Sequence, residues 1–178
     1  MEPLFVASKM GRTEVVKVLL AAPGIDVNQA DEDGWTPLYW ASGEGHLEVV
    51  KLLLAAPGID VNLANKDGET PLIAASYNGR SEVVKLLLAV PGIRVLWECA
   101  NGKTALDFAQ SGFRIGCWKV VPMLEEVVDV KRTYAAVLLT LVRLSKSRSW
   151  SSDVAMHGLP SERAKALAAR MRDAWPAA

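Results

Sequence analysis

The chain has 178 residues, with 20 Lys+Arg set against 20 Asp+Glu and 51% hydrophobic residues. That is enough apolar material for a packed core and too much for a disordered chain. The longest near-apolar stretch, Tyr134 to Val142, falls far short of the ~18 residues of a spanning helix, so no membrane crossing is expected.

The opening Met1-Glu2-Pro3 has no basic n-region and no apolar h-region after it, so no secretory signal is expected. Cys99 and Cys117 form neither a disulfide framework nor a zinc pattern. The expected setting is intracellular and reduced. The charge balance hides an asymmetry. Residues 1–100 carry 8 basic and 13 acidic side chains, a net of −5, and residues 101–178 carry 12 basic and 7 acidic, a net of +5. An acidic front half argues against non-specific nucleic-acid binding there and leaves it open for the basic back half.

Three markers recur with one step along the chain. Pro-Gly-Ile-Asp-Val-Asn starts at Pro23 and Pro57, with a worn copy at Pro91; Thr-Pro-Leu starts at Thr36 and Thr70, with Thr-Ala-Leu at Thr104; Glu-Val-Val-Lys starts at Glu14, Glu48 and Glu82. Each step is 34 residues, the kind of period that marks stacked repeats. The units are partial at 1–30, then 31–64 and 65–98, and degenerate at 99–126.

The first unit starts inside its own motif, because Met1 aligns with Trp35 and Glu2 with Thr36. A leading turn is missing, so the expectation is either a frayed native terminus or a piece of a longer protein, the second being favoured. In the second and third units, Asp31 to Gly34 and Asn65 to Gly68 carry turn chemistry. Gly supplies a positive φ and the Asp or Asn side chain bonds nearby backbone. Thr36 and Thr70 are expected N-caps, with Pro37 and Pro71 at the first helical position. A short helix is predicted through Ala41 or Ala75, broken at Gly45 or Gly79. A second helix is predicted over Leu47–Ala55 or Ser81–Ala89, ended by a Pro-Gly turn. It is apolar on more than one side and must be sandwiched between neighbours.

In the fourth unit, Asn101 to Ala109 preserves the turn and first helix. Ser111 to Lys119 is predicted irregular. Pro122 falls where a helix interior should be, so the second helix is predicted to break there or to begin at Pro122. Beyond the repeats, 127–144 is predicted to be a helix covering the last repeat through Tyr134, Val137, Leu138, Leu141 and Val142. Residues 145–158 read as a basic, Ser-rich linker, and 159–178 as an amphipathic helix.

Residues 31–54 resemble the ankyrin repeat almost throughout, and the likeness extends over about 1–126. It implies an all-α solenoid of helix-turn-helix units joined by β-turn loops. It also implies a module that binds a partner protein through the turn tips and the exposed side of each first helix. Carried over residue by residue, that surface comprises Glu32, Asp33, Trp35, Gly43 and Glu44, then Lys66, Asp67, Glu69, Tyr77 and Asn78. Lys9, Met10 and Lys103 flank it, and Tyr39 and Ile73 edge the groove. Asn28 and Asn62 resemble sites of β-hydroxylation by asparaginyl hydroxylases. A fainter likeness, Leu159 to Met171, is to the first helix of an F-box and implies an adaptor whose tail docks to a larger complex.

Trp35 follows a turn glycine and precedes a helix cap, a place expected to be exposed, and so has the profile of an interface anchor. Trp40 is expected to face the core. The acidic rim of Glu32, Asp33, Glu44 and Glu69 points to a basic or basic-apolar partner segment. No catalytic constellation, cofactor or metal site can be assembled. His46 belongs to the repeat pattern and His157 to a predicted loop, and there is no phosphate loop and no Cys-x-x-Cys. The expected product is a non-enzymatic binding module acting as a monomer. The alternatives are the adaptor and a fragment without a role of its own.

Overall fold

The computed structural model describes residues 3–112 and 116–146, the side chains of 137–146 excepted. Among these residues the chain is all-α, with no strand. Short inner helices α1 (Pro3–Lys9), α3 (Pro37–Glu44), α5 (Pro71–Tyr77) and α7 (Ala105–Ser111) pack in succession as one layer. Outer helices α2 (Thr13–Leu20), α4 (Leu47–Ala55) and α6 (Ser81–Leu88) form a second layer behind them. The last helix is α8 (Cys117–Lys146).

The 34-residue step becomes the stacking step. Leu4, Leu38 and Leu72 are all buried in the inner layer, and Val16, Val50 and Val84 in the outer one. Between the layers Leu53 and Leu87 are fully buried, and Val27, Val61 and Val95 close the core under the loops. Helix α4 lies between α2 and α6 and against α3, so its excess of apolar faces is used. Among the described residues no helix packs on the outer side of α2 at the first rung. Val18 is 72% exposed there, whereas Leu52, one repeat on, is half-buried.

Local chemistry explains why each helix starts where it does. Thr36 Oγ1 accepts the Tyr39 N–H at 3.1 Å, and Thr70 Oγ1 accepts that of Ile73 at 3.4 Å, each with proline next to the cap. Thr104 and Asp107 form a reciprocal capping box. In the turns, Asp31 Oδ1 accepts the N–H groups of Asp33 and Trp35, and Asn65 Oδ1 accepts those of Asp67 and Glu69. Successive tips are tied together, Lys66 N–H to Asp33 C=O and Ala100 N–H to Asp67 C=O. Three fully buried serines, Ser8, Ser42 and Ser76, also recur at this step. Their hydroxyls meet no partner among the described residues.

The fourth unit departs from expectation. Helix α7 runs to Ser111, and α8 begins at Cys117, with Pro122 inside it. The helix neither breaks nor begins at Pro122, because Cys117, Val120, Leu124 and Val128 all lie on one buried stripe that holds the turn before the proline in place. The elements expected on either side of residue 126 are therefore one helix. Val120 and Leu124 take the places of Val83 and Leu87, and three extra residues in the preceding segment shift the register. Lys131 Nζ donates to the Ile93 carbonyl at 3.1 Å and ties α8 to the loop after α6.

The chain divides into residues 1–134, which hold the repeats, and residues 135–178. The helix reaches Lys146, two residues into the expected linker. Tyr134 is 37% exposed. The side chains of Val137, Leu138, Leu141 and Val142, the rest of the linker and the 159–178 segment with its F-box likeness lie outside what is described.

Candidate protein-binding groove

The inner helices present their N-terminal ends and one face to a shared groove. Trp35 is placed by its own turn, since its N–H is held by Asp31 Oδ1 at 2.9 Å and Thr36 then starts α3. Its ring does not project into solvent as expected. It is half-buried, edge-on to Tyr39 with centroids 4.5 Å apart and tilted on Trp40 at 5.7 Å. Tyr39 donates its hydroxyl to Glu69 Oε2 at 2.8 Å, which links the second repeat to the third. Burial, reinforced by that hydrogen bond and by the Glu69 charge, holds the Tyr39 phenol well above its ordinary range, so it remains a donor.

Trp40 corrects the expectation that it faces the core. Its ring is half-buried in the groove wall, edge-on to Phe5 at 6.4 Å and to Tyr39 at 6.2 Å, with the Lys9 ammonium 3.7 Å from the ring centroid. At the far end Tyr77 and Phe108 meet edge to face at 5.9 Å, and Lys103 Nζ stands 5.8 Å from the Phe108 ring.

Between these aromatic groups lies a cavity of about 500 Å³. Of the surface residues expected from sequence, Trp35, Tyr39, Gly43, Glu44, Glu69, Ile73, Tyr77 and Asn78 line it. Trp40, Ala74 and Phe108 complete the lining and were missed. One signal for Trp40 was present, because its equivalent one repeat on is Ala74, and a small residue on the next rung leaves room for a large ring to swing outward. Glu32, Asp33 and Lys66 remain at the exposed tips, away from the cavity, with Lys66 Nζ 3.8 Å from Asp33 Oδ1. Among the described residues no three His, Cys, Asp or Glu side chains group as metal ligands would.

His46 and Arg80 occupy equivalent positions and act alike. A His46 ring nitrogen lies 3.1 Å from the Lys9 carbonyl, and Arg80 Nε donates to the Gly43 carbonyl at 3.0 Å. Both brace one repeat against the one before it.

Asn28 and Asn62 lie in the loops after the outer helices and are not lining residues of the cavity. Each carboxamide spans to the next repeat. Asn28 donates to Gly58 C=O and accepts from Asp60 N–H, and Asn62 donates to Gly92 C=O and accepts from Arg94 N–H. Their structural work is thus between repeats rather than within one turn. Asn62→Ala is expected to cost about 1–2 kcal/mol in urea unfolding, two partly exposed hydrogen bonds at the usual net value. A midpoint unchanged from the parent chain would refute this bracing role. At the third equivalent position Leu96 cannot make the bridge, and Lys131 reaches the Ile93 carbonyl from α8 instead.

A family model described as ankyrin repeats, three copies, matches residues 1–65 and 55–132. The chain belongs to the ankyrin-repeat family. No curated protein matched it. Ankyrin repeats are in general protein-interaction modules, and the family is typically non-enzymatic. No helix among the described residues of this ankyrin-repeat chain is long and apolar enough to cross a membrane.

Proposed function

We propose that this ankyrin-repeat chain is an intracellular, non-enzymatic module that holds a segment of a partner protein in its concave groove. The observation that carries the reading is the 500 Å³ cavity walled by aromatic rings from three successive repeats, Trp35, Tyr39 and Trp40, then Tyr77, then Phe108. Rings held by their neighbours give contact area at little entropic cost, and aromatic anchors dominate protein interfaces. Glu44 and Glu69 add negative charge to the lining, which favours a segment that pairs a cation with apolar groups and makes its capture salt-sensitive.

The test is capture of partners from the source cells by the intact chain and by Trp35→Ala/Tyr77→Ala, identified by mass spectrometry, with affinities then measured on the identified partner. Lys51→Ala, on the exposed side of α4, is the control. Affinity is expected to fall about 30-fold or more in the double variant, the scale of one lost hot spot, with far-UV circular dichroism unchanged. A partner held equally by a folded double variant would place the interface elsewhere.

A further inference from the structure

The groove is not uniformly acidic. Its two ends are each flanked by one of the chain's own lysines, Lys9 over Trp40 and Lys103 beside Phe108. Its carboxylates, Glu44 and Glu69, line the cavity itself. The lining carboxylates thus lie between two cationic side chains, Lys9 and Lys103, the second of them also close to the Asp107 carboxylate. A polybasic segment would meet like charge at both ends, and like-charge juxtaposition across an interface is costly.

The middle has a more specific chemistry. Glu69 Oε2 is held by the Tyr39 hydroxyl at 2.8 Å and lies 3.5 Å from Asn65 Nδ2, while its other oxygen has no partner among the described residues. Trp35 and Tyr39, in contact at 4.5 Å, stand on the same lining as that carboxylate. A fixed carboxylate beside aromatic faces suits a planar cation, which can stack on a ring and donate to an oxygen together. Lys9 shows that an aromatic face of this wall takes a cation, because its ammonium stands 3.7 Å from the Trp40 centroid.

We propose that the cavity seats one arginine side chain of the partner segment, its guanidinium against Trp35 and Tyr39 and paired with Glu69, and that neutral or acidic residues flank that arginine to meet Lys9 and Lys103. This rests on the groove being the partner-binding surface, and it replaces a generally basic partner with a single cationic anchor in an otherwise non-basic segment.

The test uses the full chain labelled with nitrogen-15 and follows the Trp35 and Trp40 indole N–H signals, each assigned by Trp→Phe substitution. The first probe is a capped pentapeptide with arginine at the centre, alanine on each side and glutamate at both ends. The second replaces arginine by the neutral isostere citrulline, and the third replaces the end glutamates by lysines. Saturable shifts are expected with the first probe, with affinity about tenfold above the citrulline peptide and severalfold above the lysine-ended one. Glu69→Gln still accepts the Tyr39 hydroxyl and is expected to remove most of the preference for arginine over citrulline.

Equal affinity for arginine and citrulline, or no saturable shift at millimolar peptide, would overturn the proposal. So would a Glu69→Gln chain that keeps the full arginine preference. Either result, beside a partner lost by Trp35→Ala/Tyr77→Ala, would leave the groove as the binding surface and discard the arginine seat. A partner indifferent to that double variant would discard the groove reading itself.

Discussion

Replacing Gly79 by alanine is expected to cost more than about 3 kcal/mol, whereas Gly92→Ala should cost only about 1–2, the conformational penalty alone. Both glycines have left-handed backbones, φ +66° at Gly79 and +84° at Gly92. They differ in what a side chain would meet. A Cβ on Gly92 has nothing within 4 Å, but on Gly79 it would lie 2.7 Å from the Cys117 nitrogen and 2.9 Å from the Gly116 carbonyl carbon. Both are backbone atoms and cannot rotate away. Gly116 is itself at φ +116°, so two glycines let the start of α8 lie directly on the turn between α5 and α6 of the third repeat. The added methyl must push that start outward, taking Cys117 and Val120 with it. Paired urea unfolding curves measure the difference, and hydrogen exchange locates it. Protection should fall first in α7 and α8, because each unit in a stack leans on its neighbour. Equal losses for the two variants would show that only backbone strain matters and that the close approach is not a stabilising contact.

Pro122→Ala should act in the opposite direction, raising stability by about 2 kcal/mol. Proline in a helix interior removes one hydrogen bond and its ring crowds the carbonyl four residues back, a cost of about 3 kcal/mol. Here that carbonyl belongs to Trp118. The ring of Pro122 is exposed, so alanine forfeits little packing. Set against the gain is the greater freedom of the unfolded chain once proline is gone, worth about 0.4–1 kcal/mol. Thermal and urea unfolding give the net value. A lower midpoint for Pro122→Ala would mean that the proline sets a bend that Leu124, Val128 and Lys131 need to reach the third repeat and its loop.

The two variants probe a part of the chain that the sequence describes least well. There the repeat pattern is weak, and the buried stripe of Cys117, Val120, Leu124 and Val128 decides the helix against the local preference of Pro122. A proline signal is local, whereas the burial that outweighs it comes from residues in other units.

In the intact repeats the opposite holds. Thr36, Thr70, Asp31 and Asn65 make their hydrogen bonds to backbone two to four residues away, so turn and cap are readable from neighbours along the chain. The 34-residue step likewise sets which residues share a rung, and Leu4, Leu38 and Leu72, one step apart, are buried together in the inner layer. Most of the cavity lining was legible only through the likeness to ankyrin repeats, which implied the turn tips and the exposed side of each first helix as the binding surface.

What the step could not tell is how unlike residues on one rung divide the space between them. Trp40 aligns with Val6 and Ala74, and Trp35 with Glu69. Whether such a ring turns inward, outward or onto its neighbour depends on the room left by the adjacent repeat. The Tyr39–Glu69 bond, the Asn28 and Asn62 bridges and the Lys9–Trp40 contact arise in the same way, between residues about thirty apart that meet only once the units have stacked. Periodicity and local hydrogen bonding thus determined the fold of each unit and the order of the stack. The chemistry of the groove was decided by tertiary packing, because it is made of the differences between repeats rather than of what they share.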